Sequence, residues 1–343
     1  MPDTLPALAA RAAGLSTDTT RITPRAPLEI QANRLYDAWD GDRHLIIKEY
    51  LLPAEQHDAA AREFQALRLL APLDIAPQPV FYDPALGPVV IYEYMAGQMW
   101  DRRRPTAAGL AGLADTWLKM NSVESSHLWL SHGHEQPRDQ IVTRLQGSFQ
   151  AYSDWVAASY PPGRRAAEWC LGLIERRREV VDELDHSHPL LCFCRADPRF
   201  ANVIQRPDGQ IGLIDWEDSG LRDPARDLAD ILTHPNQEDL VSPHAWQAFL
   251  QPYLAGRAVL DAGLTLAGRT LLYQALFPIF WLTVIMNQGL RQAGDAHWGD
   301  WTINGLPPNQ RLRRYLARAL AWPQLNFEPE LERLGDINFF PAR

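Results

Sequence analysis

The sequence predicts an α+β protein: a small antiparallel sheet in about the first 95 residues, then a larger, mainly helical remainder. Three observations carry this. Short β-type runs joined by turn residues crowd residues 28–50, and a second hairpin pattern ends at Met95. From residue 107 onward the apolar residues recur at helical spacing, interrupted chiefly by one compact hairpin between Asn202 and Asp215.

Taken in order, residues 1–26 read as a helix followed by a polar, proline-punctuated approach. Leu28–Gln31, Leu35–Trp39 and Arg43–Tyr50 form a three-stranded meander, with Asp40-Gly41-Asp42 as the turn between the second and third runs. Ala54–Leu70 is predicted as a helix with Phe64, Leu67 and Leu70 on its apolar side. Val80–Tyr82 and Val89–Met95 read as the next hairpin, closed by Ala96-Gly97-Gln98. Helices are expected over Ala107–Asn121, Arg138–Ala158 and Arg164–Leu184, and a buried strand at Leu190–Cys194. Pro243–Arg318 reads as helical and rich in tryptophan: Trp246, Trp281, Trp298 and Trp301.

Composition bounds the function. The chain has 343 residues, 46% hydrophobic and 22% charged, as soluble globular proteins do. A net charge of −9 without a polybasic tail argues against nucleic acid as a partner. The apolar run Leu271–Met286 is too short to span a bilayer and contains Gln274 and Pro278, so it is expected to be a core helix rather than a membrane contact. The N-terminus lacks the apolar stretch of a signal peptide. Three cysteines, Cys170, Cys192 and Cys194, do not make a disulfide framework. A cytoplasmic location is therefore expected. His186, His188, Cys192 and Cys194 could be read as a metal cluster, but small cysteines packing in a strand explain the same letters. Lysine is scarce: only Lys48 and Lys119 occur, against arginine elsewhere. A compact ammonium and a planar guanidinium do not substitute for one another in a shaped site, which draws attention to both survivors.

The chemistry concentrates in Leu190–Asp227. Asp197 precedes Asn202 by five residues, and Asn202 precedes Asp215 by thirteen. Between the last two, Val203–Arg206 and Ile211–Ile214 flank a Pro207-Asp208-Gly209-Gln210 turn, so a hairpin returns Asp215 to the neighbourhood of Asn202. Phosphoryl transfer requires this set: one carboxylate for the attacking hydroxyl, and an amide oxygen with a second carboxylate for Mg²⁺ on the nucleotide phosphates.

The D-x-x-x-x-N, hairpin, I-D-W-E pattern resembles the aminoglycoside phosphotransferase and choline kinase family, whose fold is two-lobed and protein-kinase-like. The motifs cover about residues 28–235; beyond them the likeness is general. The resemblance implies an antiparallel-sheet N-terminal lobe over residues 1–95, with its core at 27–95, and a helical C-terminal lobe over 96–343. It places the catalytic loop at 194–202 and the metal-binding segment at 213–218. It implies an ATP-dependent kinase (GTP not excluded) that needs Mg²⁺ and phosphorylates a small molecule's hydroxyl. Asp197 would be the base, and Asn202 and Asp215 the metal ligands. Lys48 would hold the α/β-phosphates, paired with Glu63, for which Glu55 is a competitor. The first hairpin, with Asn33 where protein kinases have glycines, would cover the phosphates, and the adenine would lie against backbone groups near Glu93 and Met95. Arg199 would neutralise the transferred phosphate, or else pair with Glu217 or Asp218. Asp227 matches a structural aspartate of the family.

One departure stands out: Arg195-Ala196 replaces the family's usual His-Gly before the catalytic aspartate. It leaves room for a rival of another class, a nucleotide-binding regulator without turnover. A protein kinase is the weaker rival, because no A-P-E follows Asp215 and D-P-x-x-D arrives instead. The acceptor and the oligomeric state are not legible.

Overall fold

In the computed structural model the described residues are 4–16, 18–26, 33–51, 58–124, 128–129, 138–186, 189–237, 239–257, 266–292, 306–324, 326–335 and 337–341. The chain opens with α1 (Leu5–Ala12), β1 (Arg21–Pro24), β2 (Asn33–Asp40) and β3 (Arg43–Tyr50). It continues with α2 (Asp58–Leu70), β4 (Pro79–Tyr82), β5 (Val89–Glu93), β6 (Gln98–Met99) and α3 (Ala107–Asn121). Helices α4 (Arg138–Ser159), α5 (Arg164–Glu175) and α6 (Arg178–His186) precede the strands β7 (Cys192–Cys194), β8 (Val203–Gln205), β9 (Ile211–Leu213) and β10 (Gly220–Arg222). The remaining helices are α7 (Pro224–Thr233), α8 (Gln247–Arg257), α9 (Leu266–Gln292), α10 (Pro308–Ala321) and α11 (Glu328–Leu334).

Two compact units result. The first comprises residues 1–132, 191–224 and 239–259, and so joins the N-terminal strands to the Asp197–Asp215 stretch. Its main sheet is antiparallel, in the order β1-β2-β3-β5-β4. The edge strand β1 lies upstream of the predicted first run; Leu28–Gln31 falls outside the described residues. Its letters carry little alternation, and it is defined by its partner, with Ile22 opposite Ala38 and Thr23 opposite Asp37. One face of this sheet is closed by α1 through Ala9, Ala10, Ala38, Leu45, Ile47, Val89 and Ile91.

Helix α3 supports the strands around the Asp197–Asp215 stretch. Thr106 caps it by accepting a hydrogen bond from the Gly109 amide at 3.1 Å. Thr116 Oγ1 donates to Ile211 O at 3.0 Å, and Asn121 Nδ2 donates to Phe193 O at 2.9 Å, so one helix grips β9 and β7. Tyr253 of α8 in turn donates to Asn121 Oδ1 at 2.7 Å. The hairpin appears as predicted: β8 and β9 pair antiparallel, with Val203 opposite Leu213 and Gly209 at φ +85° in the turn.

The second unit comprises residues 133–190, 225–238 and 260–343. Its core gathers Phe149, Tyr152, Cys170 and Leu173 with Ile279, Leu282, Met286, Tyr315 and Phe340. The apolar run expected to be too short for a bilayer lies in α9, whose 27 residues are long and apolar enough to cross one; 61% of its most apolar window is buried inside the protein. The helix predicted over Arg164–Leu184 is two helices, α5 and α6. Arg177 sits at the break, where its amide donates to Ile174 O at 2.9 Å and its guanidinium, over the Trp322 ring, donates to Ala319 O. A buried guanidinium needs such acceptors, and the break aims it at them.

Candidate active site

The alternation of strands selects the site's floor. In an antiparallel pair, residues opposite one another share a face, and that face recurs every second residue. Leu35 faces Lys48, Asp37 faces Ile46, and Trp39 faces His44. Asn33, Leu35, Ile46, Lys48, Tyr92 and Tyr94 consequently line one cavity of about 300 Å³. Asp197, Arg199, Asn202, Ile204, Ile214, Asp215 and Glu217 line the same cavity.

Lys48 is the centre of its charged part. Its side chain is 3% exposed, and Nζ lies 2.6 Å from Glu63 Oε2, 2.5 Å from Asp215 Oδ1 and 3.1 Å from Glu217 Oε2. It is no solvated strand charge. The other lysine, Lys119, makes an exposed i,i+4 pair with Asp115. Tyr50 donates its hydroxyl to the same Glu63 Oε2, and its ring lies 4.8 Å from Lys48 Nζ. Burial alone would lower the Lys48 pKa; the Asp215, Glu217 and Glu63 carboxylates outweigh it and hold the ammonium well above its usual range. For Asp215 burial pushes upward, but Lys48, Arg199 and Arg195 pull the carboxyl down to about 2. Glu217 goes the other way: burial, opposed by Lys48 and reinforced by Asp215 and Glu63, raises it to about 7.

The hairpin brings Asn202 Nδ2 to 3.2 Å from Asp215 Oδ2. Asp215, two residues past β9, adopts φ +66°, a left-handed conformation uncommon for a residue other than glycine. Asn33 Nδ2 donates to Glu217 Oε2 at 2.9 Å, tying the start of β2 to the segment after the hairpin. Asp197 is 30% exposed, with Arg199 Nε 3.7 Å from its Oδ2. Met95 lines the cavity, whereas Glu93 lines a neighbouring one of about 320 Å³ and pairs with Arg43 at 3.4 Å. Glu55 lies outside the described residues. Trp246 is core, packed on Phe200 and Phe249. Trp281 packs on His234, and Trp298 and Trp301 lie outside the described residues. Cys192 and Cys194 are buried and not disulfide-bonded, and His188 lies outside the described residues.

Sequence reasoning missed Glu217, Tyr50 and the structural use of Arg195. The available signals were the charged residue two after Asp215 and the tyrosine two after Lys48, where strand alternation returns the side chain to one face. Arg195 is 1% exposed. It donates from Nη2 to Ile214 O at 2.8 Å and Asp215 O at 3.3 Å, and from Nε to Asp197 O at 3.3 Å, with its plane 5.0 Å from the Trp216 ring. One guanidinium therefore bonds the backbone beside both Asp197 and Asp215. Ala196 stands at φ +71°, where glycine is at ease and alanine is strained by about 1–2 kcal/mol. Ala196→Gly relieves that strain against about 0.4–1 kcal/mol of added unfolded-state freedom. The substitution is expected to raise the thermal midpoint in calorimetry; a lower midpoint would contradict the strain.

Chemically, these side chains can orient polyanionic phosphates. The sequence pattern of the phosphotransferase enzyme family matches residues 26–262, from the approach to the first hairpin through α8. The chain belongs to that family. This phosphotransferase has the two-lobed protein-kinase-like fold, an antiparallel-sheet part and a mainly helical part. Solved structures agree on the fold. A choline/ethanolamine kinase family protein from Mesorhizobium loti is 20% identical, with TM-score 0.56 over 95% of this chain and 96% of that one. A spectinomycin phosphotransferase bound to AMP is 14% identical, with TM-score 0.58 over 93% and 98%. A macrolide 2′-phosphotransferase from Brachybacterium faecium is 17% identical, with TM-score 0.55 over 94% and 100%. No curated protein sequence matches the phosphotransferase significantly.

Proposed function

We propose that this phosphotransferase is an ATP-dependent small-molecule kinase that moves the γ-phosphate to an alcohol hydroxyl. The observation that carries the reading is the burial of Lys48 among Glu63, Asp215 and Glu217, beside the Asn202–Asp215 pair in one cavity. The cavity also has an apolar part, Leu35, Ile46, Met95 and Ile204, suited to a flat base.

The residues fit a divalent cation. Glu63, Asp215 and Glu217 can bring oxygens within 4.8 Å of one another, and Glu63 Oε1 is buried without a hydrogen-bond partner. All donors are hard oxygens, and three carboxylates against one ammonium leave negative charge in excess. Asn202 and Asp215 would hold Mg²⁺, with Glu217 within reach. When bound, Mg²⁺ neutralises phosphate charge that builds during transfer. Lys48, braced by Glu63 and Tyr50, orients the α/β-phosphates. Asp197 accepts the proton of the acceptor hydroxyl as its oxygen attacks the γ-phosphorus; the bond from that phosphorus to the β-phosphate oxygen breaks, and ADP leaves. Arg199, beside Asp197, meets charge on the phosphoryl group in flight.

The acceptor in this reading is an aminoglycoside-, amino alcohol- or sugar-like hydroxyl; the similar structures are named for choline and ethanolamine, spectinomycin and macrolides. Purified protein with Mg²⁺ and ATP or GTP, screened against a panel of such compounds, is expected to yield a phosphorylated product. Binding of ATP without product or hydrolysis would favour the regulator instead. Asp215→Ala is expected to abolish the Mg²⁺-dependent part of ATP affinity in titration calorimetry, because the main anionic ligand is gone. Wild-type Mg·ATP affinity in that variant would remove Asp215 from the metal site.

A further inference from the structure

The site face of the sheet is ordered along its strands. Lys48, Ile46 and His44 succeed one another on β3, each step of two residues advancing ~6.8 Å. Opposite them on β2 lie Leu35, Asp37 and Trp39. The face thus passes from the row of Lys48 and Leu35, through that of Ile46 and Asp37, to an aromatic stack. In that stack His44 lies between Trp39 at 3.9 Å and Tyr94 at 4.1 Å, centroid to centroid. His44 Nε2 is 2.6 Å from Asp37 Oδ1, and the other Asp37 oxygen is 3.0 Å from Arg25 Nε.

Arg25 is the odd residue in this arrangement. It follows β1, its amide donates to Leu35 O at 2.8 Å, and its guanidinium lies 5.6 Å from the Tyr94 ring centroid while lining the cavity. Asp37, to which it is tied, lies opposite Ile46, one two-residue step along the sheet from the Leu35–Lys48 pair and next to the aromatic stack. A cation there is out of place for phosphates, which Lys48 serves. It is well placed for a base: a guanidinium is planar, weakly hydrated and stacks on π faces.

We propose that Arg25 is a nucleobase-binding residue whose guanidinium stacks on the purine of the bound nucleotide, held there by Asp37. The assignment rests on the nucleotide reading given above and makes Arg25 a determinant of base affinity rather than of phosphate affinity. Asp37 is a positioning residue, itself fixed by His44 in its aromatic stack. Arg25 is 36% exposed on the side chain, so its replacement is compatible with folding.

The test is calorimetric titration of wild type, Arg25→Ala and Arg25→Lys with ATP, adenosine and inorganic tripolyphosphate, all with Mg²⁺, and a thermal midpoint for each variant. Arg25→Ala is expected to weaken ATP and adenosine by the same factor, about 3- to 30-fold, the range of a cation–π contact between exposed and desolvated settings. Tripolyphosphate affinity should not change, and Arg25→Lys should not restore the base. Equal weakening of ATP and tripolyphosphate would make Arg25 a phosphate contact and overturn the proposal; so would unaltered ATP affinity in Arg25→Ala. Failure of the wild type to bind ATP would instead overturn the nucleotide reading itself.

Discussion

Asp197→Asn is expected to lower kcat for phosphoryl transfer by about 10²–10⁴-fold while leaving the Kd for Mg·ATP near the wild-type value. In the proposed mechanism the carboxylate acts on the acceptor hydroxyl and not on the nucleotide. The groups proposed to hold the metal and to orient the phosphates are separate side chains: Asn202, 3.2 Å from Asp215, and Lys48, 2.6 Å from Glu63. Asparagine keeps the size and can still meet Arg199, but it cannot take a proton at neutral pH. Single-turnover rates beside ATP titrations read both quantities. Parallel loss of binding and turnover, with a lowered thermal midpoint, would mean that Asp197 supports the loop instead. Retained turnover would move the base elsewhere.

Lys48→Arg is expected to reduce kcat/KM for ATP by about 10²–10³-fold, the loss typical of one preorganised donor. The chain tolerates arginine nearly everywhere, which makes this substitution informative. Nζ occupies a single point, 2.5–3.1 Å from three carboxylates, on a side chain only 3% exposed, and a planar guanidinium cannot stand at that point. Charge is kept, so the uncompensated buried carboxylates that a neutral residue would leave do not arise. Overpacking costs about 1–3 kcal/mol, so the midpoint should drop modestly while activity collapses. Lys119→Arg is the control: its exposed pair with Asp115 should tolerate the change within about 0.5 kcal/mol. An active Lys48→Arg enzyme would remove Lys48, and Glu63 with it, from the phosphate-binding role.

What the sequence determined by itself is what short-range physics encodes. Asp208-Gly209 supplies the positive φ of a hairpin, so Asn202 and Asp215 had to come back together, and they do. The helical periodicity placed α3 over Ala107–Asn121. The shortage of lysine singled out Lys48 without any structure. The break between α5 and α6 and the edge strand β1 were not legible, because each depends on partners far along the chain: Ala319 for Arg177, and Ala38 and Asp37 for β1. The same holds for the ion cluster. Lys48 meets Asp215 across 167 positions, and Asn33 meets Glu217 across 184. Nothing in either local segment states that partner, since a carboxylate two residues past a hairpin is as good a solvated charge as a buried one. Only the packing of the hairpin against the sheet face removes the water that would otherwise answer those charges. Desolvation then forces the pairing, and it raises Glu217 to about 7 while Lys48 holds Asp215 at about 2.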